Sequence, residues 1–398
     1  MMNQPQMMNN PGAYAPTVFP RRSPKRRAIK WLLGIVALLF FLLIGLVVLG
    51  LIAGELTERG GQAGPIAFMI GLVFAMLPVP IYIMLILWID RYESEPMWMI
   101  ATAFIWGATV AVFASYILNT INHIIAASFW GHDTGELFSS VISAPVVEES
   151  SKAIILFIFF FWKKDEFDGI IDGIVYAGMV GLGFAMTENV QYYGKAALAS
   201  GVEGSVVLFI LRGGIAPFSH PLFTSMTGIG LGWARQSNNR AIKLIMPLTG
   251  FGLAMLLHAS WNLSASLGPI IFFLVYGSIM IPVFVGALLS IIFALRREGR
   301  VVGEHLRCDL QRGIFSQEEY NRLCSVRGRM GSSFRALRRG GFGLWRARME
   351  YNQMASELAF HRSRVARGFT SGDQSPQERE AEYLQHLQEL RQRLGPHG

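Results

Sequence analysis

Ionisable side chains stand inside otherwise apolar stretches at four places. The run APVVEESSKAIIL carries Glu148, Glu149 and Lys152, and GFAMTENVQYY carries Glu188 and Asn189. His220 follows a stretch that is interrupted by Arg212, Gly213, Gly214 and Pro217, and LLHASWNLSAS carries His258 and Asn262. Glu148 and Lys152 are four residues apart, as are Phe184 and Glu188, and His258 and Asn262, so each pair shares one helix face. A charge at mid-bilayer costs at least about 2.5–3.5 kcal/mol on insertion scales, so such groups face a cavity and serve a function. Carboxylates with raised basicity activate water. His and Asn donate hydrogen bonds to a developing oxyanion. Two His and two or three Glu also make a zinc ligand set with one Glu left as base, with Glu148, Glu188, His220 and His258 as the candidates. No HExxH pairing accompanies them. The competing readings are polar contacts that hold helices together and a proton relay in a transporter. Four clusters on consecutive helices favour a shared reactive site.

The elements that must position these groups are membrane spans. The chain has 398 residues, 52% hydrophobic and 16% charged, with a mean hydropathy of +0.39. Soluble domains average about 25% charged residues, so a soluble enzyme, a disordered chain and a disulfide scaffold built on two Cys are all excluded. A crossing helix needs about 20 apolar residues. Runs at 31–53, 65–88, 98–118, 137–162, 169–193, 206–233, 244–267 and 269–295 give an all-α polytopic membrane protein of about eight helices, with a broken helix expected at Arg212–Pro217. The first run is too long for a signal-peptide core and reads as a retained anchor. At about 1.5 Å per residue, Glu148 lies roughly 16 Å from the outer end of its span, and the four clusters converge in the outer half of the membrane.

Loop charge sets the orientation. One side carries Lys30, Arg91, Lys163, Lys164, Arg235, Arg240 and Lys243, the other Arg59 and Lys195. This positive-inside pattern places both termini in the cytoplasm of a multi-pass cell-membrane protein. Three regions follow: a disordered N-terminus over 1–27, a transmembrane core over 28–295 with its motifs within 65–295, and a partly helical tail over 296–398. The tail holds 19 Arg, no Lys and 12 acidic residues. Ser316 and Glu319 read as a capping box, and Cys308 and Cys324 as reduced thiols. The tail is either a solvated, weakly folded extension or a contact for anionic lipid or a cytoplasmic partner. Asp90, Arg91, Glu93 and Glu95 read as a salt-bridged corner, and Asp168 and Asp172 as helix-capping groups. Arg212 reads as a partner of Glu188, as a substrate contact or as a snorkelling structural arginine. The Gly-rich GMVGLGFA reads as a close-packing surface.

With these motifs in order, the sequence resembles the PrsW family of intramembrane proteases, within the superfamily of membrane glutamate proteases that includes the CAAX prenyl endopeptidases. The family pattern of Glu-Glu-xx-Lys, Phe-xxx-Glu, a lone His and His-xxx-Asp/Asn matches Glu148 to Lys152, Phe184 to Glu188, His220, and His258 to Asn262. WIDRYESEP at 88–96 and DGIVYAGMVGLGFAMTEN at 172–189 are also similar. The resemblance covers about residues 65–295. It implies cleavage of a peptide bond in a membrane-anchored protein, such as first-site cleavage of an anti-sigma factor, by a glutamate-type or metal-dependent peptidase. In that reading Glu148 activates water with Glu188, and His258 and Asn262 stabilise the oxyanion. Glu149 and Lys152 set the charge of Glu148, and His220 completes the cluster. The implied partners are the bilayer and a protein substrate, with no nucleic acid. The alternatives are a non-proteolytic binding or immunity protein on the same fold, and a proton-coupled transporter, for which no internal repeat is evident.

Overall fold

The computed structural model describes residues 24–164, 166–368 and 375–395, with side chains from Leu32 onward. The disordered lead-in expected over 1–27 lies outside the described residues as far as residue 23. From Pro24 the backbone is already helical, as suits a proline at the start of a helix. The stretch up to Leu43 forms one unit and Ile44 onward a second, compact one.

Among the described residues there are helices and turns but no strand. The first group is α1 (Pro24–Gly60), α2 (Gly64–Met76), α3 (Val79–Ile89), α4 (Met97–Trp106) and α5 (Val112–Trp130). Next come α6 (His132–Phe138), α7 (Ala144–Trp162), α8 (Ile170–Phe209), α9 (Ser219–Gln236) and α10 (Arg240–Ser266). The chain ends with α11 (Pro269–Val275), α12 (Ile281–Gln311), α13 (Gln317–Leu323), α14 (Val326–Ala366) and α15 (Pro376–Leu394).

The protein is a polytopic all-α membrane protein, but its apolar stretches are joined differently from the eight separate runs expected. Among the described residues, five helical stretches are long and apolar enough to cross a membrane: Leu32–Ile89, Met97–Trp130, Ile170–Gln236, Arg240–Ser266 and Pro269–Gln311. Helix continues from the run at 31–53 through the turn at Gly61–Ala63 into the run at 65–88, and α8 carries the run at 169–193 on into that at 206–233, which fuses neighbouring runs. The α7 helix does not qualify on composition, because Glu148, Glu149 and Lys152 fall within it. The interruption expected at Arg212–Pro217 is present, as the π-type turn and the non-helical Ala216 that separate α8 from α9. A further kink sits at Ser200 and Gly201, where Gly201 takes φ +66°, a conformation that only glycine adopts at no cost.

The α8 helix is the hub, because every residue from Ile171 to Ala185 is buried. A helix enclosed on all sides needs small residues where neighbours cross, and the Gly-rich run supplies them. A Cβ on Gly181 would stand 2.7 Å from the carbonyl carbon of His220, so glycine there lets the start of α9 lie against α8. On the outside the pattern reverses. Leu43, Leu256 and Ile270 are exposed, as suits side chains solvated by lipid.

The tail is folded. Tyr351, Leu358 and Leu390 of α14 and α15 share one continuous apolar cluster with Met99, Phe167 and Tyr176 of the membrane part. Part of its charge is paired: Arg362 bridges Asp309 and Glu380, Arg364 reaches Glu93, and Arg391 holds Glu319 at 3.0 Å. The Ser316–Glu319 capping box forms in both directions. Burial works to raise the Glu319 carboxyl, but the Ser316 N–H and the Arg391 guanidinium outweigh it and hold the group below its usual range. Cys308 and Cys324 are free. Asp172 caps the start of α8, its Oδ2 accepting the N–H groups of Asp168 (2.7 Å) and Gly169 (2.6 Å). The 90–95 corner is structural too: Glu95 N–H donates to Asp90 Oδ2 at 2.8 Å, and Arg91 stacks over Trp88.

Candidate active site

Four helices bring six of the seven candidate residues into one buried network. The α7 helix supplies the adjacent Glu148 and Glu149 and, one turn on, Lys152; α8 supplies Glu188, the first turn of α9 supplies His220, and α10 supplies His258. Lys152, fully buried, is the internal cation. Its Nζ donates to Glu149 Oε1 at 2.9 Å and to His220 Nδ1 at 2.9 Å, stands 3.7 Å from Glu148 Oε2, and lies over the Phe184 ring at 3.8 Å. Phe184 thus has a purpose of its own, as a cation–π floor beneath the ammonium.

Hydrogen bonding assigns the imidazole tautomers. His258 Nδ1 is 3.0 Å from Glu149 Oε1, a carboxylate oxygen that only accepts, so Nδ1 carries the proton and Nε2 keeps a lone pair. His220 accepts from Lys152 at Nδ1 and therefore donates from Nε2 to Glu188 Oε2 at 2.9 Å. Each imidazole has one nitrogen tied to a carboxylate; the second nitrogen of His258 keeps a free lone pair, and that of His220 accepts from Lys152. Such a carboxylate tie is how proteins orient histidines that ligate metals. The rings lie nearly perpendicular with centroids 5.0 Å apart.

Glu148 and Glu149 differ sharply in environment. Glu149 is saturated: Lys152 and His258 hold Oε1, and the Thr224 hydroxyl donates to Oε2 at 3.0 Å. Glu148 has one long hydrogen bond, from Asn119 Nδ2 to Oε1 at 3.4 Å, and its buried Oε2 has no hydrogen-bond partner. An orphaned buried carboxylate oxygen is costly unless something else meets it. His258 Nε2 stands 3.8 Å from that oxygen. Glu148, His220 and His258 each present a ligand atom within 4.8 Å of the others. One carboxylate and two imidazoles suit a catalytic metal that keeps an open position, so this cluster is compatible with holding a metal ion. Glu188, the fourth metal candidate, stands apart from that trio. Its Oε2 is engaged by Arg212 Nη2 at 2.6 Å as well as by His220. Arg212 is thus the partner of Glu188, and its Nε also donates to Asn189 Oδ1 at 2.6 Å.

Asn262 does not join the network. Its Nδ2 donates to the Ser140 carbonyl at 2.8 Å, on the turn before α7. It shares a face with His258, but it lies one turn further along, where that turn intercepts it. Thr224 and Asn119 were missed by sequence reasoning. Thr224 lies four residues after His220, a signal that was available. Asn119 lies just beyond the expected span at 98–118, whereas helix continues to Trp130.

Comparison with known proteins decides the family. The model of the PrsW family of intramembrane metalloproteases matches residues 95–287. Proteins called Protease PrsW are also similar to the chain. The one from Oceanobacillus iheyensis is 31% identical over 169 residues, covering 42% of this chain and 71% of the relative. The one from Bacillus subtilis is 32% identical over 183 residues, covering 44% and 72%. The chain belongs to the PrsW family. A relative from Geobacillus kaustophilus is 34% identical over 146 residues, 37% of this chain, and the match spans 58% of that protein's length. No solved structure matches the chain. The PrsW match contains the whole network, from Asn119 to His258, and ends within α12, ahead of α13 to α15.

Proposed function

We propose that the chain is a metal-dependent intramembrane endopeptidase that hydrolyses a peptide bond of a membrane-anchored protein, with first-site cleavage of an anti-sigma factor as the kind of reaction it performs. The observation that carries this is the orphaned Glu148 Oε2 facing the free lone pair of His258 Nε2, with both imidazoles backed by carboxylates. Glu148, His220 and His258 would hold the ion, with zinc the metal this donor set suits, and His220 Nδ1 would bind it in place of the hydrogen bond it accepts from Lys152. When bound, such an ion supplies Lewis acidity for the scissile carbonyl. Glu149 accepts the Nδ1 proton of His258 and Glu188 the Nε2 proton of His220, which fixes both rings. Lys152 offsets the negative charge gathered on three glutamates. Glu188 is the group we assign to take the proton of the reacting water and pass it to the leaving amine, because its contacts to Arg212 and His220 both use Oε2. Asn262, tied to Ser140, receives no part in this scheme.

Eight crossings with both termini in the cytoplasm remain the favoured topology. The 58-residue and 67-residue stretches are each long enough for two passages of about 20 residues, and α7 adds one despite its charges. The Arg- and Lys-bearing loops then fall on one side. The tail lies on that side, where it is available to a cytoplasmic partner.

The test compares protein N-termini in membranes from cells making the wild type, Glu148→Gln or Glu188→Gln at equal abundance, with metal content measured on each purified protein. New termini beside a membrane span, present only with the wild type, identify the substrate. Loss of metal is expected from Glu148→Gln alone. Identical N-terminal profiles from all three proteins under envelope stress would rule the reading out.

A further inference from the structure

We propose that the groove between α3 and α12 is a binding site for one anionic phospholipid. Its acyl chain lies along the apolar walls, and its phosphate sits among Arg296, Arg300, Arg307 and Arg327. The groove has a volume of about 1100 Å³, and Leu85 and Trp88 on α3 face Phe284, Leu288, Ile292 and Leu295 on α12. Along α12 the lining changes character on a single face. Phe284, Leu288 and Ile292 follow one another at intervals of four, and Arg296 and Arg300 continue the same row, with Arg307 two turns on. The twelve residues from Phe284 to Arg296 cover about 18 Å at 1.5 Å per residue. Half of a bilayer's hydrocarbon core is about 15 Å. The guanidinium groups therefore begin where the headgroup of a lipid in that leaflet would lie, and Trp88 stands at the matching interfacial level on α3.

The charge is unspent. The arginines of neighbouring elements are committed to carboxylates: Arg362 to Asp309 and Glu380, Arg364 to Glu93, Arg391 to Glu319. Among the described residues no ion pair engages Arg296, Arg300, Arg307 or Arg327, and all four are exposed. Glu304 is the one carboxylate among the lining residues, so the mouth keeps an excess of positive charge. An apolar slot one leaflet deep that ends in uncompensated arginines has the chemistry of an anionic lipid, whose phosphate such basic pockets bind.

A substrate segment is the other apolar occupant to weigh, and α9 argues against it. This helix presents Leu222 and Ser225 to the groove, while His220 and Thr224 on its opposite face join the reactive network. A peptide bond in the groove is walled off from Glu148. The inference does not depend on the proposed protease chemistry; the proposed topology enters only in naming the cytoplasmic leaflet as the source.

The experiment uses the full chain, purified in mild detergent and stripped of bound lipid. Phosphatidylglycerol, phosphatidylcholine or inorganic phosphate is then added. Retained lipid is read by native mass spectrometry and the melting temperature is followed in parallel. The wild type is expected to keep one phosphatidylglycerol and to melt at a higher temperature, with no response to phosphatidylcholine or phosphate. Changing all four arginines to Gln should weaken phosphatidylglycerol retention by at least about 100-fold. Leu288→Trp fills the slot, keeps every charge, and should also abolish retention; it carries the test if the fourfold variant fails to fold. Equal retention of the two lipids overturns the proposal, as does an equal response to phosphate alone, or retention unchanged by Leu288→Trp. Loss of substrate cleavage in Leu288→Trp with lipid retention intact overturns it as well, and assigns the groove to a substrate segment.

Discussion

Glu149 is held by Lys152, His258 and Thr224, whereas Glu148 Oε2 accepts no hydrogen bond, and the two carboxylates therefore answer differently to substitution. Glu148→Gln keeps the hydrogen-bond acceptor that faces Asn119 and removes no ion pair shorter than 3.7 Å. It is expected to leave the melting temperature within a few degrees of wild type while abolishing cleavage. Glu149→Ala strands the Lys152 ammonium in a buried site, which costs about 3–5 kcal/mol, and is expected to lower the melting temperature sharply in a detergent melt. The milder Glu149→Gln loses the carboxylate behind His258. It is expected to weaken metal binding by about 10–100-fold, read by titrating a chelator against bound metal. If chelation leaves cleavage untouched, the metal reading fails and the same network must work without an ion.

At the scale of elements, the site depends on how closely α8 and α9 approach. His220 stands on the first turn of α9, immediately after the break at Ala216–Phe218, and its main chain rests on Gly181. Gly181→Ala puts a methyl group 2.7 Å from the His220 carbonyl carbon. Backbone must shift to relieve this, at a cost of about 1–3 kcal/mol. The expected outcome is a lower melting temperature together with a larger loss of cleavage than the stability change accounts for, because the displaced group is His220 itself. Gly252→Ala is the control, since a Cβ there meets open space. Equal effects from the two substitutions would show that the close contact has no special role.

For the whole molecule, the tail and the membrane part share one apolar cluster, so events in the tail are mechanically connected to the core. The Glu319–Arg391 pair ties α13 to α15, and Arg391 also donates to the Tyr351 hydroxyl at 2.9 Å. The Glu319 carboxyl is held below its usual range, so its folded pKa lies under its unfolded one. The stabilisation it provides is complete above the unfolded value near 4.3 and is lost as pH falls through the folded value. Hydrogen exchange over α13 and α15 is expected to be slow at neutral pH and to show increased local opening, after correction for intrinsic rates, on acidification below about pH 4. Arg391→Gln should show that opening at neutral pH and lose the acid dependence. An unchanged exchange profile in Arg391→Gln would remove the pair from the account of how the tail is held.

The sequence by itself determined the class of the molecule and the inventory of its chemistry. Apolar runs with few charges dictate helices in a membrane, because a bilayer tolerates no unpaired backbone. The rarity of buried Glu, Lys and His within those runs picks out Glu148, Glu149, Lys152, Glu188, His220 and His258. Local spacing also settled the Ser316 capping box, the break at Arg212–Pro217 and the cap at Asp172, since each depends on residues a few positions apart. Only the tertiary structure decided which oxygen of which glutamate is free, that Asn262 turns away to Ser140, and that Thr224 and Asn119 complete the shell. It also decided that the apolar stretches run together through the turn at Gly61–Ala63 and along α8, and that the Arg-rich tail packs onto the core. These outcomes depend on contacts between helices far apart in the chain, where a rotation of one helix by a single residue exchanges a partner in the network for a side chain in lipid.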